Sequence, residues 1–451
     1  MSVRGPLGAT GDGAIELTSA RPRAQARLAW PSARVGLAGL LATGVIISLS
    51  ASQTGVLLPA SVRPVSATGL GGLFGGFGLD IGLGGVIAAL VLMFVSYAVA
   101  LRATRELSTR SVLISIAVLN LLVLLAPPLF STDLFSYIAY GKLGATYGIN
   151  PYLYGPSAMW VLDPLYPYIG MQWVTTPTAY GPLFTAISYP LSALSIPANV
   201  LAYKAMAAIS SVVIVGVVWR AAQLRGVDPK QAVVLVGLNP VIIVYGVGGG
   251  HNDLLMLAIL VLGLYALLRE RRRASGAMII TAMAIKLTAG VLLPFALARG
   301  GARRETGGDR RPVLVGAALA ALVFGGLAVA LFGTGPLHLV GTLHSIQDRG
   351  GPHGIPGFIL TAIGLGQFTG VAGLVMDAGL LGAIGWLVYR VWIGELDWIT
   401  GAGWATVGLL VTASLLMPWY IVWVLPLAAL SKDRRLWAAA ILLTGLALTS
   451  L

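Results

Sequence analysis

The sequence predicts an all-α polytopic membrane protein, a helical bundle of about 11–13 spans with a re-entrant hairpin. Three observations carry this. Hydrophobic residues make up 57% of the 451 positions and charged residues only 10%, against ~25% charged in an ordinary soluble domain. Apolar runs approach the ~20 residues that cross a hydrocarbon core. The lysines and arginines behind the formal charge of +13 punctuate those runs instead of forming an aromatic-rich basic patch, which argues against a nucleic-acid partner. With no cysteine in the chain, disulfides, thiol nucleophiles and cysteine-ligated metals are excluded.

Residues 1–34 are polar, Gly-rich and basic and read as a disordered cytoplasmic tail. The run Val35–Ala60 is longer than the ~7–15-residue core of a cleavable signal peptide, so it reads as the first span of a transmembrane domain over 35–451. Further spans are expected at 85–101, 111–130, 199–219, 231–247, 254–268, 313–333, 371–389, 400–417, 419–430 and 436–450. Cytoplasmic loops retain positive charge. Alternating from an inner N-terminus places most of the 29 basic residues inside. Ala274–Ala298 is long enough to cross but has arginines on both flanks. A re-entrant hairpin over 274–298, turning near Ile285-Lys286-Leu287-Thr288, resolves the conflict. On this reading Lys286 belongs to the inner side and is structural.

The outer side then consists of Ala60–Gly84, the long stretch 131–199, Gly246–Asp253 and the region 333–370. All four histidines (His251, His338, His344, His353) fall there with Asp133, Asp163, Asp253 and Asp348, which points to an enzyme with an extracytoplasmic active site in the plasma membrane. Prolines divide 131–199 into pieces too short for their own core. Its Trp160, Tyr166, Tyr168 and Trp173 suit short helices along the membrane surface.

Asp133 appears where the apolar run ending at Phe130 stops. If a helix continues from Ser131, Asp133, Ser136, Tyr137 and Tyr140 share a face. Capping of that helix is the competing role for Asp133, but an ionisable group at membrane level favours function. His251-Asn252-Asp253 follows three glycines and either caps the next helix or forms a second polar cluster facing Asp133. The spacing of His338, His344 and His353 matches no zinc pattern, so no metal is expected. Arg349 with His344 or His353 suits a phosphate, because guanidinium offers paired donors. Lys142 and Lys204 are placed near the outer side, Lys204 snorkelling to headgroups. Trp419, in Met417-Pro418-Trp419-Tyr420, is an interface-belt residue or a sugar-stacking aromatic.

Ser131-Thr132-Asp133-Leu134-Phe135-Ser136-Tyr137, then Gly141-Lys142, Gly148-Ile149-Asn150-Pro151-Tyr152 and Gly250-His251-Asn252-Asp253, resemble the actinobacterial polyprenol-phosphomannose-dependent α-(1→6)-mannopyranosyltransferases of A and B type, within the GT-C class. The resemblance implies a GT-C-like fold and inverting transfer of mannose from polyprenyl-phosphate-mannose to a lipomannan-type acceptor, without a cofactor or divalent metal. Asp133 matches the catalytic base of the first large outer loop. On this reading Arg349 and His353, with Lys142 and His344, hold the lipid phosphate. His251, Asn252 and Asp253 shape the sugar pocket, with Tyr137, Tyr140 and Trp419 beside the substrate. A GT-C enzyme for another polyprenyl-phosphosugar, such as arabinofuranose, and a lipid or solute transporter are the alternatives.

Overall fold

A backbone in lipid must satisfy its own polar groups, and apolar helices do so. The computed structural model describes Met1 and residues 32–63, 68–299, 309–348 and 354–449. Among these residues the ordered elements are helices and no strand occurs. Five helices are long and apolar enough to cross a membrane: Ala33–Ser50, Gly82–Arg102, Ile196–Arg225, Arg311–Phe332 and Gly366–Trp392. The bent pair Pro229–Gly237 and Val241–Val247 makes a sixth when counted as one span. Other expected spans are shorter apolar helices, Thr109–Leu125, Asp253–Leu268, Trp398–Thr412 and Pro418–Leu430. The chain is an all-α polytopic membrane protein.

Contacts between distant segments gather the basic helix ends. Lys230 donates to the carbonyls of Arg105 and Leu107. Arg225 pairs with Asp397 at 2.8 Å and reaches the Leu430 carbonyl. Arg310 lies over Trp392. Of the expected tail, Ala33 and Arg34 already belong to the first helix, and 2–31 lie outside the described residues.

Between Arg272 and Arg299 the chain doubles back. Arg272–Met283 runs beside Asp253–Leu268, turns through Ala284-Ile285-Lys286, and returns as Leu287–Ala298. Both feet meet Glu270, through Arg272 at 3.0 Å and Arg299 at 2.7 Å. The turn is held at its far end, where the Ile285 and Ala284 carbonyls accept the N–H groups of Gly181 and Leu183.

One expected span breaks at Asn239-Pro240, by 46°. Proline cannot donate to the preceding turn, and Asn239 covers the break. Its Oδ1 accepts the Val241 N–H, and its Nδ2 donates to Tyr97 and Thr444. The π-helical Val241–Val247 then delivers the glycine turn before His251.

Pro127 and Pro128 end the helix Thr109–Leu125, which leaves carbonyls needing donors. Lys204 supplies them. It is buried and donates to Ala126 and Pro127 at 2.5 and 2.9 Å, so it anchors the chain before Asp133 instead of snorkelling to headgroups. Leu129 donates to Gly248, tying this segment to the glycine turn.

The stretch 131–199 contains the helices Asp133–Ala145 and Pro182–Leu191 and three 3-10 turns, Pro156–Ala158, Tyr166–Tyr168 and Met171–Trp173. Asp133–Ala145 is not a surface helix with one polar face, since it is buried on nearly all sides. Gly141 permits this, because a Cβ there would collide with the Ser188 carbonyl. Gly141→Ala should cost about 1–3 kcal/mol by overpacking. Gly379→Ala, in open space, should change stability by less than about 1 kcal/mol and in the favourable direction. Thermal unfolding of the detergent-purified variants checks both.

Candidate active site

The segment that Lys204 and Gly248 anchor presents Asp133 at the first turn of its helix. The Asp133 N–H donates to Ser131 Oγ at 3.1 Å, and the N-cap residue Thr132 makes no side-chain capping bond. The carboxylate is 15% exposed, and His251 Nδ1 lies 3.7 Å away, beyond hydrogen-bond reach. Among the described residues no lysine or arginine forms an ion pair with it. Burial pushes its carboxyl up to about 6; Lys286 lowers it and Asp253 raises it, each by less. Burial and Lys286 push the His251 imidazole down, so that ring stays neutral and stacks on Trp419 at 3.7 Å.

Beside it stands an ion pair that joins two elements. Asp253, 1% exposed at the start of its helix, accepts Lys286 Nζ from the hairpin turn at 2.7 Å. The same oxygen accepts Trp423 Nε1 at 2.7 Å. The ammonium also lies 4.5 Å from the centre of the Tyr420 ring and 5.3 Å from that of Trp423, attracted by their π faces. Lys286, expected to be only structural, therefore both holds the hairpin turn to Asp253 and lines the cavity that contains Asp133. One donor serves Asp253, which leaves two for a ligand.

Asp133 and Lys286 line one cavity of about 170 Å³. Ser136, Tyr140, Thr288, Trp419, Tyr420 and Trp423 share it. The Ser136 and Thr288 hydroxyls are buried without partners among the described residues, and Tyr140 donates to the Thr176 carbonyl. Leu287, Leu343, Ile346, Leu409 and Leu415 supply an apolar wall.

The other expected residues divide clearly. His251, Asn252 and Asp253 are buried behind the cavity, and both side-chain polar atoms of Asn252 lack partners among the described residues. Tyr137 turns into a cluster with Tyr180, Phe184 and Tyr203. Lys142 pairs with Asp163, which also accepts Tyr147 at 2.6 Å, and does not line the cavity. His344 lies 3.6 Å from Asp348 in an adjoining cavity. Arg349 and His353 lie outside the described residues. No group of three or more potential metal ligands occurs among the described residues. Sequence reasoning missed Lys286, Trp423 and Asp377, the last on the helix Thr369–Trp392 and in the lining of the same cavity. A lone ionisable residue within an apolar segment was the available signal for the first and last.

The family model described as alpha-(1->6)-mannopyranosyltransferase, N-terminal domain, matches residues 34–299, more than half of the chain. The chain belongs to this family. It is 30% identical to alpha-(1->6)-mannopyranosyltransferase A of Mycobacterium tuberculosis, over 70% of this chain and 64% of that protein. It is 29% identical to alpha-(1->6)-mannopyranosyltransferase B of Corynebacterium glutamicum, over 68% of this chain and 56% of that one. A probable alpha-(1->6)-mannopyranosyltransferase of Mycolicibacterium smegmatis is 29% identical over 68% of this chain and 62% of its own length. The chain thus spans about three fifths of the length of these relatives. No solved structure matches it.

The family match includes Asp133, His251, Asp253 and Lys286, whereas Asp377, Trp419 and Trp423 lie beyond its end. Removing Lys286 strands a buried carboxylate. Lys286→Met should destabilise the protein by about 3–5 kcal/mol, and adding Asp253→Asn should recover most of that loss in a thermal double-mutant cycle.

Proposed function

We propose that this chain is an inverting mannosyltransferase, moving mannose from polyprenyl-phosphate-mannose to an α-(1→6)-mannan lipid of the lipomannan type at the extracytoplasmic face of the plasma membrane. The observation that carries the reading is an Asp133 carboxylate that, among the described residues, has no lysine or arginine ion-pair partner yet shares its cavity with Lys286. A hydroxyl of the acceptor mannose gives its proton to Asp133 as its oxygen attacks the anomeric carbon. The bond from that carbon to the phosphate oxygen breaks, and Lys286 stabilises the departing phosphate. Phosphate needs no protonation to leave, so one carboxylate suffices, unlike the pair in glycosidases.

The remaining lining fits the same substrates. Trp419 offers a face for a sugar ring, and the unpartnered Ser136 and Thr288 hydroxyls suit its hydroxyls. The leucine-rich wall suits a prenyl chain. The family membership and the names of the relatives support mannosyl transfer.

Asp133→Asn should lower kcat by about 10²–10⁴ in transfer from polyprenyl-phosphomannose to a short mannoside; substantial retained transfer removes the base. Because the raised carboxyl must be ionised to act, the rate should fall as pH drops through about 6. The neutral His251 does not set that limb, so His251→Gln should keep its midpoint. The absence of cysteine allows a sidedness test. On intact cells, a single cysteine at Ser157 should react with a membrane-impermeant maleimide, and one at Lys432 should not.

A further inference from the structure

Asp377 lies nine residues into the helix Thr369–Trp392, within a stretch apolar enough to cross a membrane. A carboxylate there is costly unless it faces a polar cavity. Among the described residues none forms a hydrogen bond or ion pair with it. It lines two cavities at once. The first holds Asp133 and Lys286; the second, also about 170 Å³, is lined by His344, Asp348 and Thr369 together with Leu360, Leu374 and Met376. Gln347, Thr412 and Ser414 share the common wall with Asp377.

These four side chains place a carboxylate, an amide and two hydroxyls on the wall that the cavity of Asp133 shares with the second cavity. Such groups bind sugar hydroxyls, with the carboxylate accepting charge-assisted hydrogen bonds. The Thr412 hydroxyl donates to the Gly408 carbonyl at 3.0 Å, which leaves its oxygen free to accept. A prenyl tail gains nothing from these four polar groups, whereas the leucine-rich wall of the first cavity serves it.

We infer that the second cavity joins the first past Asp377 and is a glycan subsite: it holds acceptor mannose residues beyond the one that attacks, with Asp377 setting the preference for a longer acceptor. The inference rests on the proposed mannosyl transfer, and it deepens it by assigning the direction in which the acceptor runs. No bond changes at Asp377, so it is a specificity-determining residue and not a catalytic one.

The test uses the purified full chain and its Asp377→Asn and Gln347→Ala variants, with a mannose monoglycoside and an α-(1→6)-mannotrioside as probes. Direct binding is measured by calorimetry and, in parallel, KM by transfer. The wild type should bind the trioside about tenfold more tightly than the monoglycoside. Both variants should lose that advantage while keeping monoglycoside affinity, donor KM and melting temperature. A trioside preference that survives in both variants overturns the subsite, as does equal loss with both probes. Binding that follows the expected pattern without any transfer by the wild type would retain the subsite and overturn the proposed reaction instead.

Discussion

The Lys286–Asp253 pair fixes the site, because it ties the hairpin turn to the start of the helix Asp253–Leu268. It is a 2.7 Å ion pair whose carboxylate is 1% exposed. Trp423 donates to the same carboxylate oxygen and adds a third element to the lock. Replacing a buried pair by apolar residues is often neutral in stability. Its value here is positional: it holds a cation at the wall of the cavity that contains Asp133.

Asp133 is placed by opposite means. No strong partner fixes the side chain, so the backbone must. Lys204 and the Gly248 carbonyl hold the segment before it, and close packing at Gly141 holds the helix after it. Phe130, in the left-handed region at φ 61°, stacks on Tyr245. Strain of this kind persists only where surroundings over-determine it. An acid that is buried but not paired keeps a raised carboxyl and remains a competent base near neutral pH. A salt bridge would have removed that capacity.

Much of this architecture was legible in the sequence, for physical reasons. Apolar run length located the long spans, and arginines on both flanks of 274–298 demanded a chain that returns to its starting end. The acid after an uncharged run marked Asp133, and the glycine turn marked His251-Asn252-Asp253. Pairing across elements was not legible. Lys142 finds Asp163 twenty-one residues away, and Lys286 finds Asp253 across the hairpin. Both partners depend on how helices dock, which periodicity does not encode. Asp377 was hidden because apolar averaging absorbs one acid in a long hydrophobic run. Helix ends were also blurred, because Asn239-Pro240 and Pro127-Pro128 interrupt runs that composition reads as continuous.

The central claim is that Lys286 receives the departing phosphate while Asp133 faces the attacking hydroxyl. A structure of the protein with a non-hydrolysable polyprenyl-phosphomannose analogue tests it most directly. The account predicts the phosphate within hydrogen-bond distance of Lys286 Nζ and Asp133 on the opposite side of the anomeric carbon. A phosphate bound away from Lys286, or Asp133 on the same side as the phosphate, would contradict it.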